Sequence, residues 1–480
     1  MNHHLVYHTL KDAAKNWPHS PAIFDEYGTL SFAQLFQETE VLKNKLQELG
    51  VTEGMGVGVM ARNGRNFISG IFAVMGCGAT VMPMSHQLKT NEIDEILSEA
   101  QLHAVMDDQH GVCPIEGKTE LIPMNVESFR FAFTNVSRAQ VFAPHVQHPA
   151  FIRFTSGTTG KSKGVIISNQ SAIERVDSAN KVLKLGVGDT VVWVLPMAYH
   201  FVVSILLYIR YGAAIAIAKD FLPKNIIDIT NAHKGTLLYA SPMQIRLLAS
   251  NTDADLMPSL KMVISTSAAI SGDICKAFKN RFHKDVSQAY GIIEIGLPMI
   301  NYIKSDEHPD AVGYALPDYS VAILDDDFNP VPCGSVGRLA IKGPGMFDAY
   351  LTPPLMRNEV LKNGYFLTAD FASKTKDGLV KVEGREKSML NIGGNKVFPE
   401  EVEGILETIP EIKLARITGA PHPLMGQIVQ AEVVLYEGKT IDIEEVLTYC
   451  RQRLSTYKIP QRLKVVDELP MTGSGKLLRH

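Results

Sequence analysis

Short apolar runs of strand length alternate with longer segments of helical periodicity through most of this chain, and that rhythm restricts it to few architectures. Val57–Met60 is followed by a helix-like stretch from Phe67 to Gly76, then by Thr80–Met84 and the helical pattern Asn91–Ala100. The rhythm returns in Thr190–Leu195, Ser204–Tyr211, Ala213–Ala218 and Leu237–Ala240. Strands interleaved with helices predict an α/β fold built on a largely parallel sheet with helices on its faces. Ligands in such folds sit beyond the carboxyl ends of the strands.

A chain of 480 residues exceeds what one compact core holds, so two or more domains are expected. The texture changes past Asp370. Val380–Val382 leads into the glycine- and charge-rich run Glu383–Asn395, which reads as a connector. A compact α+β unit follows, with a helix from Pro399 to Leu406, strands near Leu414–Thr418 and Ala431–Leu435, and a helix from Ile443 to Leu454. Val402, Ile405, Leu406 and Ile409 recur at helical spacing, and Pro399 suits the first turn. The division expected is 1–386 and 387–480.

Composition removes several classes of function. A net charge of -4 does not point to a polyanion-binding surface, although it leaves room for one local basic patch, so nucleic acid is not the expected partner. The cysteines at 77, 113, 275, 333 and 450 lack any short paired spacing. That disfavours zinc and a disulfide framework and suits a reducing cytoplasm. The start Met1-Asn2-His3-His4 shows no basic-then-apolar signal pattern. The most apolar stretch, Val191–Ala218, carries Pro196, His200, Arg210 and Gly212. It reads as strand, buried helix and strand, not as a membrane span.

Chemistry first shows in Phe154-Thr155-Ser156-Gly157-Thr158-Thr159-Gly160-Lys161-Ser162-Lys163-Gly164, which follows the apolar run Ala150–Phe154. Glycines let backbone N–H groups approach oxyanions, hydroxyls donate further bonds, and lysines neutralise charge. This composition suits the binding of phosphates, with a solvated turn as the alternative that composition alone leaves open. A P-loop needs four residues between its first glycine and its Gly-Lys pair. Only Thr158 and Thr159 separate Gly157 from Gly160-Lys161, so the spacing excludes it.

Residues 155–163 resemble the signature loop of the adenylate-forming superfamily: acyl- and aryl-CoA synthetases, peptide-synthetase adenylation domains and luciferases. Further segments match in order along almost the whole chain. Tyr290-Gly291-Ile292-Ile293-Glu294 resembles the Tyr-Gly-x-Thr-Glu segment, which implies that Tyr290 packs on adenine and Glu294 holds Mg²⁺, with Thr158 as a second metal contact. Ser267-Ala268-Ala269 falls where the family frames adenine. Gly364–Asp370 resembles the segment whose aspartate, here Asp370, grips the ribose hydroxyls. Gly384-Arg385-Glu386-Lys387-Ser388 resembles the hinge: Arg385 reaches the nucleotide, Lys387 takes the pivot position, and Gly393-Gly394 line the thiol's approach. Leu469–Arg479 resembles the C-terminal motif, which makes Lys476 catalytic. Leu195–His200 is a weaker match and sets His200 as a gate near the substrate carboxylate. Ile293, Ala369, Ser388 and Ser335 depart from the family pattern.

The resemblance implies a large N-terminal domain of stacked α/β sheets and a small mobile C-terminal α+β domain. It further implies ATP, Mg²⁺, a small-molecule carboxylic acid and a thiol acceptor. Amino-acid-activating relatives place an aspartate after the middle motif to pair the substrate ammonium. His200-Phe201-Val202-Val203-Ser204-Ile205-Leu206-Leu207 contains no acid, and an unpaired ammonium there would be costly. A fatty or aromatic acid is expected. Coenzyme A is the expected acceptor, with a carrier-protein phosphopantetheine, as on an acyl carrier protein, as the alternative. A degenerate nucleotide-binding homologue is the reading from another class.

Overall fold

The computed structural model describes residues 5–115, 117, 119–155, 163–253, 255–392, 395–422, 426–471 and 477. Among them, two nine-stranded sheets carry the large unit. In one, Pro21–Asp25, Ala214–Ile217, Thr190–Trp193, Leu237–Ala240, Met262–Ser265 and Val286–Ile292 run parallel, each beside the next. Antiparallel strands close its edges, Gly28–Ser31 on one side and Gly296–Ile300 with Tyr314–Ala315 on the other. In the second sheet Ala104–Asp107, Gly56–Ala61, Thr80–Ser85 and Pro149–Thr155 are parallel. Lys163–Ser168 then returns antiparallel beside Pro149–Thr155.

The two sheets share a helical layer. Leu10, Leu42, Phe67, Phe72, Phe201 and Leu206 pack in one core with strand residues from both sheets. Period-two alternation divides each strand between two cores. Val191, Trp193, Leu237 and Tyr239 face the shared layer. Val192, Leu238 and Ala240 face an outer core with Ile226, Ile245, Leu248 and Phe278. Strands covered on both faces need no polar alternation, which is why they read as unbroken apolar runs in the sequence.

A four-stranded antiparallel sheet follows, Ser320–Leu324, Gly337–Lys342, Phe366–Lys374 and Val380–Arg385. Beyond it, Leu390–Ile392 and Asn395–Val397 pair as a hairpin. Helix Pro399–Leu406, strands Ile412–His422, Gly426–Leu435 and Arg462–Val465, and helix Ile443–Arg451 complete the small unit. Its core is separate, built from Ile392, Val397, Val402, Leu406, Ile417, Ala431, Val446 and Cys450.

The run 383–395 is therefore not a plain connector. Its first residues extend a strand to Arg385, opposite Asp370, and the described part of its end enters the hairpin. Backbone pairing with distant partners overrides the polar, glycine-rich composition. Gly384 is required there, because a Cβ would lie 2.5 Å from the Phe398 ring. The expected helix at 204–211 starts earlier, as a π-helical turn Phe201–Ile205 that runs into Leu206–Tyr211. Such turns recur next to functional sites. No helix among the described residues is long and apolar enough to cross a membrane.

The units touch through a polar contact. Arg246, on helix Pro242–Ala249, places Nη2 2.7 Å from Glu407 Oε2 and donates from Nη1 to the Lys413 carbonyl.

Candidate active site

Several of the sequence-predicted residues lie at the carboxyl ends of parallel strands. Met262–Ser265 ends just before Ser267, Ala268 and Ala269, which are exposed. Ser267 has φ +77°, a left-handed conformation that costs a non-glycine residue on the order of 1 kcal/mol and recurs at binding sites. Gln288 holds this turn: its Oε1 accepts from Ile270 N at 2.8 Å, and its Nε2 donates to the Asp310 carbonyl.

Strand Val286–Ile292 delivers Tyr290 and Gly291, and Glu294 follows in the turn back to Gly296–Ile300. A Cβ on Gly291 would sit 2.7 Å from the Gly296 carbonyl oxygen, so the tight return excludes any side chain. The Tyr290 hydroxyl donates to Asp370 Oδ2, and Arg385 Nε lies 3.3 Å from Asp370 Oδ1. Asp370 itself is buried and Arg385 is exposed. Burial, reinforced by the Asp370 charge, holds the Tyr290 phenol well above its usual range, so it stays protonated and donates. A carboxylate fixed between a phenol and a guanidinium presents an oriented acceptor, the geometry that a pair of ribose hydroxyls requires.

Glu294 accepts from Tyr350 Oη at 3.3 Å, while Phe347 N donates to the Glu294 carbonyl at 2.7 Å. Desolvation raises the Glu294 carboxyl above its usual range, against the lowering influence of Tyr350, Arg153 and Arg175. A carboxylate whose charge is disfavoured by burial fits a hard divalent cation, which would restore the ionised form. Lys163 Nζ stands 4.9 Å from the centre of the Tyr350 ring. The end of the 155–163 loop is thereby brought beside Glu294.

His200 follows the short turn Met197–Tyr199, its ring edge-on to Trp193 at 5.6 Å and to Tyr239 at 6.2 Å. Trp193 and Tyr239 stack with ring centres 5.5 Å apart. An aromatic wall therefore backs His200 at the ends of two neighbouring strands. Lys387 is exposed at the strand end beyond Arg385. Ser388 donates to Glu400 Oε1 at 2.9 Å, tying the chain after Lys387 to the start of helix Pro399–Leu406. Ile293, where the family has threonine, is buried in the core.

Ser156, Gly157, Thr158, Thr159, Gly160, Lys161, Gly393, Gly394 and Lys476 lie outside the described residues, and only the backbone of Thr155 is described, as the end of strand Pro149–Thr155. Tyr350, Arg153 and Arg175 belong to the neighbourhood of the site without having been singled out from sequence. Arg153 carried a usable signal: it is a charge inside an otherwise apolar strand, directly before the glycine-rich loop. Tyr350 carried none, because a contact across 56 residues leaves no local pattern.

Residues 10–351 match the family model for AMP-binding enzymes, and residues 401–476 match that of the AMP-binding enzyme C-terminal domain. An indoleacetate–CoA ligase of Aromatoleum aromaticum is 27% identical over 93% of this chain and 91% of its own length. A feruloyl-CoA synthase of Amycolatopsis is 25% identical over 97% and 96%. The structure of ATP-bound MatB from Rhodopseudomonas palustris superposes with a TM-score of 0.85 at 23% identity, over 99% of this chain and 97% of that one. The family match spans most of the chain, and the protein belongs to the AMP-binding, adenylate-forming enzymes.

Proposed function

We propose that the protein uses ATP to convert a carboxylic acid to its acyl adenylate and then passes the acyl group to the thiol of coenzyme A. The observation that carries this reading is the Tyr290–Asp370–Arg385 group set beside the Glu294–Tyr350–Lys163 group. One group suits a ribose and base, the other a polyphosphate with its metal.

In the first half-reaction a carboxylate oxygen attacks the α-phosphorus of ATP and the bond to pyrophosphate breaks. Asp370 anchors the ribose and Tyr290 presents its ring to the base. Glu294 and Thr158 would hold Mg²⁺, which when bound supplies charge neutralisation on the phosphates. Residues 155–163 receive the departing pyrophosphate, and Lys476 bridges carboxylate and α-phosphate. The catalytic contribution is positioning of two anions together with charge compensation. In the second half-reaction the thiol attacks the adenylate carbonyl, AMP leaves with the C–O bond electrons, and the thiol proton is released. The small domain, beginning at residue 387, pivots about Lys387 between the two, replacing Lys476 with Gly393–Gly394.

The acid is one with an apolar body, fatty or aromatic. Phe201, Val202, Ile205 and Leu206 after His200 are buried apolar residues and offer no partner to an ammonium. The test is acid-dependent exchange of labelled pyrophosphate into ATP over a panel of acids, followed by addition of coenzyme A or a phosphopantetheine carrier protein. Lys476→Ala should abolish most of the exchange while sparing thioester formation from preformed adenylate. Exchange that survived this substitution intact would remove Lys476 from the mechanism, and no exchange with any acid would make the chain a nucleotide-binding homologue instead.

A further inference from the structure

Two arginines adjoin the site, Arg175 buried and Arg153 half-buried, and their surroundings differ. Arg175, fully buried, donates from Nε and Nη2 to the Gly345 carbonyl at 2.9 and 2.6 Å and from Nη1 to the Ile293 carbonyl at 3.0 Å. Its donors are matched by fixed carbonyls, so it is a strut tying helix Asn169–Leu183 to the segments around Glu294 and Gly345. Arg153 donates from Nη1 to the Tyr199 carbonyl at 2.6 Å and lies 5.1 Å from that residue's ring centre. Its Nε is buried without an acceptor. Among the described residues no carboxylate comes within ion-pair distance of it, and none accepts from Nη2. Burial pushes this guanidinium below its usual range, with Tyr199 and Glu294 as the nearby groups that favour its charge.

A half-buried guanidinium whose Nε is buried without an acceptor leaves a donor unsatisfied in the ligand-free protein. Its place gives it a purpose. Arg153 is on strand Pro149–Thr155, which leads straight into the 155–163 loop, and it reaches the turn that carries His200. Both reactants of the first half-reaction bring anionic oxygens to this region.

We propose that Arg153 is an oxyanion-binding residue of the active site, pairing through Nη2 with an anionic oxygen of a bound reactant. The oxygen belongs either to the phosphates of ATP or to a carboxylate of the acid, and the two sources separate experimentally. The assignment rests on the adenylation reading. It adds a binding group from the strand that no comparison of short motifs identifies, since the signature loop begins only after it.

The test uses Arg153→Met and Arg153→Lys in the full chain. Calorimetry measures the binding of pyrophosphate, ATP with Mg²⁺, and the acid. Exchange kinetics give KM for ATP and for the acid, and thermal unfolding is followed without ligand. The Met variant should bind one reactant about tenfold more weakly or worse, as loss of a hydrogen bond to a charged group implies, and Lys should restore part of it. Its ligand-free unfolding midpoint should be unchanged or higher, because a buried donor without an acceptor has gone. A loss confined to ATP and pyrophosphate names the phosphate as partner; a loss confined to the acid names the carboxylate. Affinities within twofold of the parent, or a lowered midpoint with kcat reduced and affinities unchanged, would make Arg153 a strut for Tyr199 and overturn the proposal. If the parent protein runs no exchange, the adenylation reading fails on its own, and calorimetry still decides the arginine.

Discussion

Replacing Arg246 with alanine should unbalance the two half-reactions, because its side chain is a polar link between the large and small units. Arg246 Nη2 and Glu407 Oε2 are 2.7 Å apart, and each side chain is 19% exposed. The guanidinium also bonds the Lys413 carbonyl, and Glu407 Oε1 additionally accepts from Ala415 N at 3.2 Å. A charge-assisted hydrogen bond contributes about 1.5–3 kcal/mol when well shielded. Residual exposure and screening reduce it, which leaves about 1–2 kcal/mol for the link. That energy is present only in this arrangement of the units. Removing it should shift the population away from this arrangement by roughly 5–30-fold. The half-reaction that uses the arrangement should slow by a similar factor, and the other should hold its rate or gain. Pyrophosphate exchange reports the first half-reaction, and thioester formation from preformed adenylate reports the second. A fluorescent donor–acceptor pair across the units reports the population directly. A double-mutant cycle with Glu407→Gln should return a coupling of about 1–2 kcal/mol. Equal effects on both half-reactions, or no change in either beyond twofold, would falsify the assignment of this pair as a docking contact.

Other outcomes follow from single groups. Asp370→Asn removes the charge that accepts from Tyr290 and faces Arg385. KM for ATP should rise about tenfold or more, and preference for ATP over its 2′-deoxy analogue should collapse in the exchange assay. Glu294, raised by desolvation, opposes folding in the ligand-free chain wherever it is ionised. Glu294→Gln should therefore raise the unfolding midpoint at neutral pH. The gain should shrink as pH falls through the raised folded pKa and be gone below the ordinary value of 4.5, where the parent carboxyl is protonated in both states. Cys77 and Cys275 are buried thiols pushed up to about 12, and Cys450 is also buried. Alkylation of the native protein at neutral pH, read by mass spectrometry, should modify Cys113 and Cys333, with the other three reacting only after unfolding.

Much of the fold was legible locally. Helix Pro399–Leu406 and strand Leu237–Ala240 run between the residues that sequence periodicity marks. Fully covered strands expose their identity as apolar runs, and a proline at the first turn announces a helix start. The antiparallel sheet around Asp370 was not legible. Its strands Gly337–Lys342 and Phe366–Lys374 alternate weakly, and their pairing is chosen by partners far away in sequence. The strand ending at Arg385 was hidden by its polar, glycine-containing composition for the same reason.

The site divides along the same line. By itself the sequence determined the phosphate-loop chemistry, the excluded P-loop spacing, and the order of segments from residue 155 to Lys476 that marks an adenylate-forming enzyme. Those are properties of residue type and spacing, which survive without coordinates. Only the tertiary structure decided that Tyr290 bonds Asp370, that Tyr350 meets Glu294, and that Arg153 keeps a buried, unmatched Nε. Hydrogen-bond satisfaction and desolvation depend on which distant atoms fill the space around a group, and no stretch of neighbouring residues encodes that alone.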